Sequence, residues 1–507
     1  MRGNTIFCSW RFLSLAFIML SAGHAALAQP ERTKVKTIVT TDGEVDDQDS
    51  FIRMLLYSNE FDLVGLIYSS SQWHYKGDEK GTAFTSELEM TAKRYGSQTS
   101  LRWPGTTWME AFIDKYAAVY GNLKTHAGGY PTPAYLRSII RIGNIDFEGE
   151  MNKDTPGSDF IKQILLDADT EPVYIQIWGG TNTVARALKS IEDSYKNKPE
   201  WSEVYKRVSA KAILYTVLDQ DATYKRYIQP HWKDIRVLYN ETQFWNFAYP
   251  WPRVVPEPLQ QYLRGPWFKE HIKFGHGPLL SDYYLWGDGT MIDGDLEHNQ
   301  GDTAVMKKFG MGMYDFISEG DSPAYLHLID VGLENIQDAS FGGWGGRMVR
   351  SSNNPNRWQD GDNVIDYNPY TKKADGAYPQ TRWIDAIQQD FAARADWCVM
   401  NADAANHPPV VHLNGAKNIS AKAGSTVGLS GIVSDPDGNE TTCKWWQYDE
   451  VDTFNGKIEI MNPGKLISSV KIPGNARRGD TIHIILEVKD NGIPALTRYR
   501  RLIITIT

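Results

Sequence analysis

Between residues 35 and 400 short runs of apolar, β-branched residues alternate with helical stretches; past His407-Pro408-Pro409 that alternation stops. The first pattern predicts an α/β fold, a mostly parallel sheet flanked by helices. Strands are expected at 35–41, 61–68, 173–178, 211–218 and 235–239, with helices at 51–57 and 184–191. The paired prolines read as a stiff connector. Beyond them alternating strands are expected at 410–413, 426–433, 444–448, 482–488 and 499–506. Turn signals such as Asp435-Pro436-Asp437-Gly438 and Asp490-Asn491-Gly492 separate them. That region reads as a small immunoglobulin-like β-sandwich. The expected organisation is a signal peptide at 1–28, an α/β domain at 29–405 and a sandwich at 408–507.

The start of the chain reads as an export signal. Arg2 and Arg11 flank a polar beginning, an apolar run covers 12–20, and Ala26-Leu27-Ala28 offers small residues for cleavage. The run is too short to span a bilayer. A periplasmic or secreted protein is expected, leaving Cys398 and Cys443 either as one interdomain disulfide or as two separate buried thiols. With 53 basic against 62 acidic residues and no basic block, a nucleic-acid partner is not expected. The 17 Trp, 26 Tyr and 18 Phe are a rich supply of surfaces for a carbohydrate or glycoside partner. The oligomeric state is left open.

The most informative stretch is Thr40-Thr41-Asp42-Gly43-Glu44-Val45-Asp46-Asp47-Gln48-Asp49, between the first strand and the first helix. Ligands of open α/β sheets bind beyond the carboxyl ends of the strands, so it lies where a site is expected. Asp46, Asp47 and Asp49 can cap the helix and oppose its dipole, which accounts for one or two acids. Asp42 and Glu44 beside them call for a counter-charge. Calcium, which takes about six to eight oxygen ligands, supplies one.

Asp-x-x-x-Asp-Asp after the first strand resembles the signature loop of the nucleoside hydrolases. The chain is similar, more closely, to nucleoside-hydrolase-like proteins with a C-terminal sandwich, often labelled cellulose-binding proteins. The resemblance implies Asp42 and Asp47 as calcium ligands and Asp46 as a sugar contact. It also implies a calcium-bound water as nucleophile, with Asp42 as its base. The chain departs from the family pattern at Thr40, where an acid is expected, and at Gly43-Glu44 in place of Pro-Gly. Glu44 adds a carboxylate that could receive further sugar hydroxyls.

Gly179-Gly180-Thr181-Asn182 resembles the family's Gly-x-Leu-Thr-Asn segment, implying a calcium ligand at the Thr181 carbonyl and substrate contact at Asn182. A helix cap explains the same residues equally well. Glu319-Gly320-Asp321-Ser322-Pro323 looks like the late segment that provides the last metal carboxylate, at Asp321, with an N-cap as the simpler reading. His74, after the second strand, is a candidate to protonate a leaving group. Trp73, Trp178 and Trp344 are candidates for a sugar-stacking wall. The resulting expectation is an exported, calcium-dependent hydrolase of glycosidic bonds acting on a glycan-derived glycoside. A non-catalytic cellulose-binding protein and an exported nucleosidase are the alternatives.

Overall fold

The computed structural model describes residues 34–295, 300–361 and 364–507. The expected signal peptide at 1–28 lies outside them. Strand β1 (Lys36–Thr41) leads through helix α1 (Val45–Leu56) to β2 (Asp62–Tyr68). Both strands belong to an eight-stranded sheet. From one edge the order runs Ile140–Ile142, β2, β1, Val173–Ile177, Ala212–Val217, Arg236–Asn240, Arg357–Gln359, Val349–Arg350. Every pairing is parallel except that of the last two strands.

The inner strands are apolar on both faces because both faces are covered. Ile38, Ile175 and Leu214 enter one core with Val184 and Leu188 of the helix Asn182–Tyr195. Their chain neighbours Val39, Tyr174 and Tyr215 enter the other core, with Phe51, Met54 and Leu55 of α1. Successive side chains of a strand point to opposite faces, so each strand supplies both cores.

Helix α1 starts six residues before the expected helix, since Val45, Asp46 and Asp47 form its first turn. Acids there suit the positive end of the helix dipole. The 19-residue helix Trp108–His126 has no counterpart in the sequence expectations. Thr155 caps Pro156–Leu166 through a reciprocal bond pattern with Ser158.

Two four-stranded sheets make up the C-terminal sandwich. Its core holds Leu429, Trp445, Ile484, Leu486 and Ile504. Sequence patterning misses the strands Asn418–Ala421, Ile460–Met461 and Ile467–Lys471, which are short or half-exposed. The sandwich packs directly on the α/β portion. Tyr448, Ile485 and Tyr499 join the core that contains α1, and the amides of Tyr499 and Arg501 donate to the carbonyls of Val331 and Gly332 at 2.9 and 3.0 Å. Cys398 is buried, Cys443 half-buried, and both are free thiols. Among the described residues no helix is long and apolar enough to cross a membrane.

Candidate functional site

β1 and Val173–Ile177 lie side by side, and the chain leaves them toward opposite edges of the sheet. Their carboxyl ends therefore open a crevice at a switch point. Gly43 turns the chain there with a φ of +83°. A Cβ on it would stand 2.7 Å from Pro104 Cγ and 2.8 Å from Trp108 Nε1. Gly179, after the neighbouring strand, makes the opposite wall, where a Cβ would stand 2.9 Å from Asp42 Cβ and Cγ. Glycine at these positions lets the acidic loop and the Gly179 turn close on each other.

Asp46, Asp47 and Asp321 each bring a carboxylate oxygen within 4.8 Å of the other two. Asp321 sits at the N-cap of Ser322–Leu326 but makes no capping bond, and neither does Glu44 at the N-cap of α1. Capping thus does not explain them. Asp47 accepts a short bond from the Thr41 hydroxyl, and Asp46 accepts one from Ser318 Oγ at 3.3 Å. Burial first, then neighbouring carboxylates, push all three acids well above the ordinary range. Glu44 and Asp42 act on Asp46; Asp42, Asp321 and Asp46 act on Asp47; Asp46, Asp42 and Glu44 act on Asp321. Such a group is stable with a proton or a cation among its members.

Asp46, expected as a sugar contact, is therefore the third member of the group, and Asp42 lies outside it. Asp42 is 2% exposed, and its Oδ2 has no hydrogen-bond partner and stands 3.6 Å from His74 Nδ1. Burial raises its pKa, but the adjacent imidazole outweighs burial and holds the carboxyl below the ordinary range. Asp49 faces away and accepts the Tyr284 amide at 2.8 Å.

His74 is fully buried behind the loop. Its Nε2 lies 3.2 Å from Asp295 Oδ2, and its Nδ1 lies 3.6 Å from Asp42 and 3.7 Å from Glu44. Burial and Arg102 lower its pKa; the three carboxylates prevail and raise it to about 9. The expectation that His74 meets a leaving group is corrected: it is an enclosed imidazolium that fixes the acidic loop. Arg102 grips Asp295 with two bonds of 2.8 and 2.9 Å and reaches Glu44 at 3.5 Å. Glu44 also accepts the Tyr249 hydroxyl at 2.8 Å.

Above the carboxylates is a cleft of about 340 Å³ with Glu44, Asp46, Asp47 and Asp321 at its base. Trp73, Trp178, Phe244, Trp245 and Tyr249 wall it, with Arg94 and Gln72. Trp73 and Trp178 are thus at the cleft, as the sequence suggested, while Trp344 is elsewhere. It is buried, with the Arg498 guanidinium 5.7 Å from its ring centre. Thr181 and Asn182 lie behind the wall. The Thr181 carbonyl accepts the Ala185 amide of its own helix, and its hydroxyl bonds Asp221 and Thr223. Asn182 is locked to Ser69, Ser70 and the Asn144 carbonyl. Thr181 is the N-cap residue of Asn182–Tyr195, but its side chain makes no capping bond, so a side-chain cap does not explain this segment either. Arg102, Tyr249, Trp245 and Asp295 escaped the sequence reading. Asp295 ends a run of acids that resembles an EF-hand loop only superficially.

A parallel sheet carrying this acidic loop at its switch point defines a nucleoside-hydrolase-like protein. The chain belongs to the family described as cellulose-binding Sde182, nucleoside hydrolase-like domain, whose model matches residues 36–348. Residues 426–506 match the C-terminal domain of cellulose-binding protein Sde0182. Among solved structures, a nucleoside hydrolase-related hypothetical protein from Saccharophagus degradans, associated with carbohydrate metabolism, is 27% identical. It aligns over 94% of this chain and 100% of its own, with a TM-score of 0.68. A plant nucleoside hydrolase is 11% identical over 71% of this chain and 100% of its own, with a TM-score of 0.32. No curated protein matches the chain.

Proposed function

We propose that this chain is an exported, calcium-dependent hydrolase that acts on a glycosidic bond of a glucan-derived sugar in the acidic cleft. The observation that carries this reading is the meeting of Asp46, Asp47 and Asp321 at the base of an aromatic-walled cleft. Their donor chemistry fits the ion. Oxygens on opposite sides of a calcium lie about 4.6–5.2 Å apart at its usual bond lengths, and hard carboxylates are its preferred ligands. When bound, calcium supplies positive charge that orients sugar hydroxyls and water and makes that water more acidic.

The protein's own groups do the rest. Asp42, whose carboxyl the adjacent His74 holds below the ordinary range, is the group this reading assigns to accept a proton from water. Glu44, fixed by Arg102 and Tyr249, presents a rigid carboxylate edge to a sugar hydroxyl. Trp73 and Trp245 offer ring surfaces to a pyranose, and the enclosure limits competing water. A second reading, a cellulose-binding protein without chemistry, is favoured by the burial of both Asp42 and His74 beneath the cleft. The replacement Asp42→Asn decides between them. Loss of hydrolysis with sugar binding retained supports the enzyme; a wild-type protein that binds β-glucan oligomers and cleaves none supports the binder. Inosine hydrolysis with kcat/KM of about 10⁴ M⁻¹s⁻¹ or above would overturn both in favour of a nucleosidase.

A further inference from the structure

Beside the acidic cleft lies a larger cavity of about 980 Å³, and Trp245 and Tyr249 line both. Tyr249 is tied to the cleft through its hydroxyl bond to Glu44, and Trp245 leans on Phe244 with ring centres 4.2 Å apart. The shared tryptophan remains 39% exposed. Farther out the groove presents Phe309, 61% exposed, and Ile365, 46% exposed, with Arg253 and Asp375 as its opposite charges. Large apolar side chains left open along a groove continuous with a polar site mark a place where a ligand lies.

We infer that this groove holds the continuation of the glycan whose terminal ring occupies the acidic cleft: a neutral β-1,4-linked glucan running across Trp245 toward Phe309. The inference rests on the reading of the cleft as a sugar site. A pyranose ring offers apolar C–H faces to aromatic rings while its hydroxyls stay at the edges, which suits a wall of this kind. Among the described residues that line it, the only charges are Arg253 and Asp375, opposite in sign, and these give no preference to a charged polymer. Its volume is nearly three times that of the cleft, room for several further rings where a nucleoside would leave the groove unused.

Titration calorimetry on the full chain with calcium, using β-1,4-glucan oligomers of two and six residues, tests this. The hexamer should bind at least about tenfold more tightly than the dimer. Ile365→Ser should abolish that preference and leave dimer affinity unchanged; Trp245→Ala should abolish it as well, with both variants melting as wild type. Equal affinity for the two lengths, or a length preference that survives both substitutions, overturns the inference, the second result moving the chain to another surface. A change of oligomeric state caused by Ile365→Ser also overturns it, in favour of a second copy in the groove. If neither oligomer binds, the sugar reading of the cleft falls too; if the dimer binds without length preference, only the groove assignment falls.

Discussion

Arg53 Nη1 lies 3.1 Å from Glu319 Oε2, and both side chains are fully buried. Arg53 belongs to α1, whose first turn carries Asp46 and Asp47, while Glu319 stands two residues before Asp321. The pair thus joins the two segments that bring the carboxylate group together. Arg53 Nη1 also donates to Gln388 Oε1 and Nη2 to the Ile387 carbonyl, while the hydroxyls of Tyr283 and Ser322 donate to the carboxylate.

Arg53→Met should cost about 3–5 kcal/mol, because it strands a buried carboxylate. Denaturant unfolding measures it, and the double variant with Glu319→Gln should recover part of the loss. A cost below about 1 kcal/mol, typical of an exposed pair, would contradict the buried role.

Calcium should raise the melting temperature and a chelator should reverse the rise. A native-state ligand at about a hundredfold excess over its Kd stabilises by about 2.7 kcal/mol. Asp321→Asn should abolish this response. It should also stabilise the cation-free protein, because it removes one of three crowded carboxyls. Chelator-insensitive melting of protein incubated with calcium, with no calcium found in the purified protein by elemental analysis, would refute the metal centre.

His483 is buried in the sandwich with Arg501 Nη1 3.0 Å from its Nδ1. Burial, then that guanidinium, lower its pKa from 6.5 to about 3. The unfolded chain takes up this proton first as pH falls. The contribution to stability is therefore whole above pH 6.5 and declines down to about pH 3. By pH 5 the loss should reach about 2 kcal/mol. Unfolding curves of wild type and His483→Gln, compared between pH 7 and 5, should converge by that amount; parallel curves would exclude it.

A chain ending at residue 405 should aggregate. It would uncover the core positions that meet Tyr448, Ile485 and Tyr499 and release the carbonyls of Val331 and Gly332. Soluble expression of 29–405 with a cooperative melt would instead show the sandwich to be an accessory.

What the sequence discloses follows from the range of the interactions. β1 and the acids after it are legible because a strand's apolarity and a loop's charge are local properties. Asp46 joins the carboxylate group and Asp42 stays outside it because membership depends on side-chain direction, which Gly179 and His74 constrain from other parts of the sheet. The frame of the site is longer in reach still: His74 meets Asp295 221 positions away, and Tyr249 meets Glu44 205 positions away. No spacing rule connects such pairs. Trp344 misled for the opposite reason, since its glycine-rich surroundings look like a presenting turn and instead tuck it beneath Arg498.

The bonds from Tyr499 and Arg501 to residues 331–333 also carry a meaning for synthesis. Arg501 Nε reaches the Leu333 carbonyl across 168 positions of chain. A polypeptide emerging N-terminus first exposes the segment just after Asp321 long before the strand Thr497–Ile506 exists to cover it. The carbonyls of residues 331–333 therefore gain these partners only after translation has passed the whole sandwich, and a ribosome stalled before that point would hold them uncovered.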